Sequence, residues 1–221
     1  MIQELQEIPN ILVLNGGSSS IKFALYQWGD PPKQLLHGKV ERIGLRGTTF
    51  TFNDPVRNDH ENRSMDDFDH RSSANYLFVW LEKRIGLASI TAVGHRIVNG
   101  GSKYKEPHRV TSEMLDELRR IGAYASEHLP AQIEIIDLIG ERLPNLPQIA
   151  CFDTSFHRDM PRIAKILPIP RVCRQMVSNA TASTVCLIHI SWRSSFAPLA
   201  PRPLRDALSS CILEMGRAWQ R

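Results

Sequence analysis

The residues with the clearest chemical potential stand near the start of the chain, at Asn15-Gly16-Gly17-Ser18-Ser19-Ser20-Ile21-Lys22. A turn of small residues lets a phosphate approach the backbone, whose N–H groups and neighbouring hydroxyls donate to its oxygens. Lys22, just beyond the turn, supplies positive charge against a phosphate. Asn15 offers a carboxamide to a phosphate or to a metal-bound water. The plain alternative is an ordinary hairpin turn, which draws on the same residue types. The spacing is not the Walker pattern, which requires G-x-x-x-x-G-K-[ST] ahead of a helix.

The elements that must position this loop follow from periodicity. Residues 11–14 form a continuous apolar run of the kind found in a strand buried on both faces. Residues 21–27 alternate as a second strand, so the pair reads as a hairpin around the glycine–serine loop. Further strands of that sheet are expected at 35–42 and 48–52, and a polar loop at 53–73. A helix over 74–85 packs on the sheet, and a strand at 91–95 runs into the Gly100-Gly101 turn. Met114, Leu115, Leu118 and Ile121 recur at helical spacing. Thr111 or Ser112 is placed to cap that helix, and Gly122 to end it at C′. Pro130 suits the first turn of another helix, with Ile133, Ile136 and Ile139 on one face. Residues 148–152 read as a buried strand ending at Asp153. Strands alternating with helices predict an α/β sheet with helices packed on it.

Composition narrows the class of function. The 221 residues carry 27 basic and 23 acidic side chains, a formal charge of +4, with no Lys/Arg block to mark a nucleic-acid surface. No apolar run approaches the ~20 residues of a membrane span. Residues 1–10 have no basic n-region, so no signal peptide is expected. Cys151, Cys173, Cys186 and Cys211 show neither C-x-x-C spacing nor a zinc-like partnership with histidine. They read as thiols of a reducing, cytoplasmic compartment.

The string Ile-Leu-Val-Leu-Asn-Gly-Gly-Ser-Ser-Ser-Ile-Lys-Phe at residues 11–23 is more specific than its glycines. It resembles the opening signature of the acetate kinase family, within the superfamily of acetate and sugar kinases, heat-shock chaperones and actin. Gly94-His95-Arg96-Ile97-Val98-Asn99-Gly100-Gly101 resembles the family's G-H-R-x-V-H-G-G segment. Phe152-Asp153-Thr154-Ser155-Phe156-His157, followed by Met160-Pro161, resembles F-D-T-x-F-H-x-x-M-P. Taken singly, Arg96 reads as a surface ion pair and Asp153 as a strand-end turn; the ordered set outweighs those readings. A sugar kinase or chaperone-like ATPase of the same superfamily finds no such support.

The resemblance implies an actin-like ATPase domain with a ribonuclease-H-like core, here incomplete. It implies Asn15 near Mg²⁺ and the transferred phosphoryl, and Ser18, Ser19, Ser20 and Lys22 on the phosphates of ATP. Arg96 would hold the substrate carboxylate, which suits a planar guanidinium fork. Val98 would line the pocket for the methyl group, His128 of a His-x-Pro segment would contact substrate, and Asp153 would be the active-site acid. The implied reaction is ATP plus acetate to ADP plus acyl phosphate. Glu127, Leu129 and Asn99 stand where acetate enzymes usually carry leucine, asparagine and histidine. Propionate or another short carboxylate therefore stays open, since a methylene is worth only ~1–3 kcal/mol of discrimination. Complete members form homodimers; for this chain that question also stays open.

After Pro170 the character changes. Residues 171–221 contain no lysine, and their acids are Asp206 and Glu214. Neither a period of 2 nor one of 3.6 persists, and poor order is expected. The family's later R-Y-G-F-H-G and G-N-G-A-S segments are not read in this frame. Recombining the last base of each codon with the first two of the next, permissible codons turn 179–196 into R-Y-G-F-H-G-L-S-Y-S-Y-L-M-E-E-L-L. The same rule turns 208–221 into V-I-L-H-L-G-N-G-A-S-M-A-A, and the invariant codons of Met215 and Trp219 fall where they must. Two domains are thus expected: 1–170, kinase-like, and 171–221, an aberrant tail following a frameshift between about Arg171 and Arg174. A chain so built would be a non-catalytic fragment.

Overall fold

The computed structural model describes residues 9–101, 103–125 and 128–157. The expected tail at 171–221, Met160-Pro161 and Glu127 lie outside them. Eight strands form one mixed sheet in the order β5-β4-β3-β2-β1-β6-β8-β7. Strands β1 (Asn10–Gly16), β2 (Ser20–Gln27), β3 (Lys33–Glu41), β4 (Thr49–Asp54) and β5 (Asp59–Ser64) make an antiparallel meander. On the other side of β1, β6 (Ile90–Ile97) and then β8 (Gln148–Phe152) run parallel to it. The short β7 (His108–Arg109) closes that edge antiparallel to β8. This is the mixed sheet with packed helices that the sequence predicts. No helix among the described residues is long and apolar enough to cross a membrane.

Three helices cover the sheet: α1 (His70–Ile85), α2 (Ser112–Ala125) and α3 (Leu129–Arg142). Helix α3 is apolar almost all round because it lies between the other two. Its Ile135, Leu138 and Ile139 join Phe23, Phe50 and Leu77 in the core beneath α1. Its Leu129, Ile133 and Ile136 join Met114, Leu118 and Phe152 in a second cluster beneath α2.

The structure corrects three expectations. Residues 53–73 are not one loop: they contain β5 and the first turn of α1. Strand β5 is polar on both faces and covers only the sheet edge, so no alternation announces it. Its turn was nonetheless written in the residues. The Asp54 carboxylate accepts from the Val56 and Arg57 amides at 3.1 and 2.9 Å, and Asn58 adopts a left-handed φ of 51°. Helix α1 begins four residues before Ala74 because Asp69 caps it, accepting from the Ser72 amide at 2.7 Å. That first turn is polar and hides from an apolar period. Gly122 does not end α2. It keeps a negative φ, so nothing turns the chain left-handed there, and the helix runs on to Ala125. Thr111 does cap α2, accepting from the Met114 amide at 3.2 Å.

Gly100 shows how tightly the turn after β6 is built. A Cβ there would strike the Tyr104 carbonyl and come within 2.8 Å of the Phe152 ring, which itself stacks on Tyr104. Neither backbone nor a stacked ring can yield cheaply. Gly100→Ala is expected to lower the unfolding free energy by about 1–3 kcal/mol in urea titrations, the usual cost of overpacking.

Candidate functional site

The carboxyl ends of the parallel strands bring the expected residues together. On the central strand Asn15 stands opposite Lys22 of β2 and, on its other side, opposite Arg96 of β6. Arg96 in turn pairs in register with Cys151 of β8, two residues before Asp153. Register alone thus sets Asn15, Lys22, Arg96 and Asp153 along one end of the sheet. Asn15 is buried, while Arg96 and Asp153 keep 29% and 27% of their side chains exposed, enough for a solute to reach them.

Arg96 and Asp153 form a two-pronged ion pair. The guanidinium donates from Nε to Oδ1 at 3.0 Å and from Nη2 to Oδ2 at 2.8 Å. Such parallel charge-assisted bonds fix the plane of the guanidinium as well as its place. The arginine expected at the site is therefore also the arginine of an ion pair. Beside it, burial pushes the Cys151 thiol above its usual range, with the Asp153 charge adding to the effect, so this cysteine stays a neutral core residue.

The glycine–serine loop is anchored from three sides through its carbonyls. The Ser20 carbonyl accepts from the Gly17 amide at 2.7 Å, and the Ser19 carbonyl from the Ile43 amide at 3.0 Å. The Ser18 carbonyl meets His70 Nε2 at 2.7 Å, which requires the proton on that nitrogen. A trans peptide points its C=O and N–H opposite ways. With the Ser18 carbonyl turned toward α1, the Ser19 amide faces away from it. The hydroxyl-bearing tips of Ser18 and Ser19 are exposed. The arrangement can donate to an anion without presenting carbonyl oxygens to it.

Val98 lies two residues past Arg96 and packs, half-buried, against the α2–α3 cluster. Asn99 is buried and folds back on its own turn, accepting from the Gly101 amide at 2.8 Å. In this chain it serves the turn. His128 is exposed at the head of α3, immediately before the helix that supports both loops.

Sequence reading missed three supports. Gln132 is buried on α3 and bonds to both loops. His95, buried, meets Gln148 Oε1 at 2.8 Å, and Gln148 Nε2 donates to the Ile136 carbonyl at 3.3 Å, which ties β6, β8 and α3 together. Glu117 of α2 is held down to about 2, first by its bond from Arg120 and then by Lys103 of the loop after β6. His95 belongs to the G-H-R segment, but nothing in its spacing separates a buried histidine from a reactive one.

A groove of about 1000 Å³ runs between α1 and the α2–α3 pair. It meets the loop at Ser18 and is bordered by the exposed pairs Arg71–Glu141 and Arg119–Asp137. Arg96 and Asp153 lie outside its lining, so size does not mark the chemistry here.

Among the described residues, no three His, Cys, Asp or Glu side chains gather as a metal site. The donors at this end of the sheet are one carboxamide, Asn15, and one carboxylate, Asp153. That set is too small for a closed cage and fits a magnesium ion that keeps most of its waters and takes other ligands from phosphates.

The acetokinase family model matches residues 10–178, more than half of the chain. The chain belongs to the acetokinase family. It is 35% identical over 164 residues to the acetate kinase of Rhodopseudomonas palustris (strain ATCC BAA-98 / CGA009), covering 73% of this chain and 41% of that protein. It is 33% identical over 211 residues to the acetate kinase of Bacillus velezensis, covering 93% of this chain and 52% of that one. Among solved structures, a propionate kinase from Francisella tularensis subsp. tularensis SCHU S4 superposes with a TM-score of 0.70 at 29% identity. That likeness covers 80% of this chain and 45% of the other. The chain thus spans about two-fifths to one-half of these acetokinase-family relatives. The antiparallel β3-β2-β1 ribbon continuing into parallel β6 and β8 is consistent with the family's actin-like ATPase fold.

Proposed function

We propose that this chain carries the first half of a carboxylate kinase site. The complete reaction would transfer the γ-phosphoryl of ATP to acetate, propionate or another short carboxylate, giving ADP and an acyl phosphate. The observation that carries this reading is the register that sets Asn15, Lys22 and Arg96 side by side, with Asp153 paired to Arg96. Phosphoryl transfer is catalysed by positioning and electrostatics, so a rigid row of such groups is what it requires.

In this reading, amides and hydroxyls of Ser18, Ser19 and Ser20 receive the phosphates, and Lys22 offsets their charge. Asp153 holds the Nε–Nη2 edge of Arg96, which leaves the Nη1 side to meet the substrate carboxylate. Val98 and its apolar neighbours would face the alkyl end, and His128 would close that side. Asn15 and Asp153 would hold magnesium, which supplies charge neutralisation between the phosphate oxygens when bound. If the tail is frameshifted, the chain by itself would be non-catalytic, because the second half of the phosphate clamp would lie in the neighbouring frame.

Titrating the ¹⁵N-labelled chain with propionate and acetate tests the carboxylate subsite. Shifts are expected at residues 96–101 and 153–155. Arg96→Ala is expected to weaken binding at least about tenfold, the value of losing charge-assisted bonds. Equal binding by Arg96→Ala and wild type would remove the assignment.

A further inference from the structure

We propose that Gln132 is a positioning residue that ties the phosphate loop to the carboxylate-binding strand end through one buried carboxamide. The proposal rests on the carboxylate kinase reading above. Gln132 Nε2 donates to the Gly16 carbonyl at 3.0 Å, and its Oε1 accepts from the Val98 amide at 3.3 Å. Gly16 is the last residue of β1 before the loop, and Val98 follows Arg96 by two residues.

The amide has only one workable orientation. Reversed, it would set NH₂ against the Val98 N–H and oxygen against the Gly16 carbonyl. The space bounded by Gly16, Gln132 and Arg96 is too small to hold a water beside the carboxamide. Gln132 is 3% exposed and shares its small space with Leu14, Ile97 and Ile135, where a buried polar group is costly unless fully bonded. An apolar residue would serve packing better.

The geometry explains what the carboxamide adds. Holding the Gly16 carbonyl leaves the Gly17 amide of the same peptide to close the turn onto Ser20. Holding the Val98 amide fixes the path of the chain just after Arg96. One side chain on a rigid helix therefore sets the distance between the anion loop and the guanidinium.

Two variants test this in the 221-residue chain. Gln132→Met is nearly isosteric and lacks both bonds. Gln132→Glu keeps an acceptor for Val98 and, as the carboxylate, loses the donor to Gly16. In Gln132→Met the Val98 amide is expected to exchange at least about tenfold faster. Dissociation constants for inorganic phosphate and for propionate are both expected to rise about tenfold. Gln132→Glu is expected to restore protection of Val98 but not of the Gly17 amide. A lowered thermal midpoint in Gln132→Met, with exchange and both affinities within twofold of wild type, overturns the proposal and leaves a packing role. If Gln132→Met does not fold, Gln132→Glu decides: faster Gly17 exchange beside a protected Val98 supports it, and no change overturns it. If the wild type binds neither ligand, the carboxylate kinase reading fails, and the exchange rates alone decide the positioning claim.

Discussion

Supplied with ATP, Mg²⁺ and acetate or propionate, the 221-residue chain is expected to give no hydroxamate above background when acyl phosphate is trapped with hydroxylamine. On the proposed reading, the glycine–serine loop, Lys22 and the Arg96–Asp153 pair would provide one wall of a phosphate clamp. A transferring phosphoryl spreads charge over its equatorial oxygens and needs donors on its far side as well. A single such arginine is worth about 10³–10⁵ in rate where it has been removed from phosphoryl-transfer enzymes. On the frameshift reading, the segments that should supply the far side would lie in the neighbouring frame, at 179–196 and 208–221. A one-base correction near codons 171–174 is therefore expected to restore ATP-dependent acyl phosphate formation. Turnover by the uncorrected chain would sink the idea of a frameshifted tail, as would a gene whose neighbouring frame does not encode those motifs.

The second large effect is on stability in mild acid. Burial lowers His95 from 6.5 to about 4, against a smaller upward pull from its bond to Gln148. The folded chain thus holds a neutral imidazole where the unfolded chain would already be charged. A histidine lowered on folding destabilises the fold as pH falls below its unfolded value, and the loss is complete near its folded value. Between pH 7 and pH 4.5 the unfolding free energy is expected to fall by about 2–3 kcal/mol through this residue. Urea titrations at both pH values measure it. His95→Asn should be less stable at pH 7 and nearly flat across the same interval. An equally steep fall in His95→Asn would assign the effect elsewhere. Burial also lowers His37, so a smaller slope of the same sign is expected to remain. Glu117 acts later: its carboxyl is depressed from 4.5 to about 2, so its contribution is present above 4.5 and lost as pH falls toward 2.

Much of the candidate site was legible in the sequence. The first strand of the hairpin around residues 15–20 and the strand ending at Asp153 carry continuous apolar runs beside their candidate residues. A strand buried on both faces writes itself that way. The ribbon edge was not legible, because β5 buries almost nothing. Nor was the start of α1, whose first turn depends on the Asp69 cap rather than on an apolar period. Gly122 misled for a related reason, since a glycine ends a helix only if the chain turns left-handed there.

By itself, the sequence determined the family, the order of the strands that carry the loop, Arg96 and Asp153, and the break in character after Pro170. Only the tertiary structure decided how these residues meet. It placed Asn15 between Lys22 and Arg96, joined Arg96 to Asp153, and set Gln132 and His95 as the buried polar links beneath them. The physical reason is distance along the chain. Local patterns record which face of an element is buried, whereas a bond between residues 16 and 132, or 96 and 153, exists only once helices and strands have packed. A lone glutamine or histidine in an apolar run looks the same whether it is an intrusion or a link, and its partners alone tell the two apart.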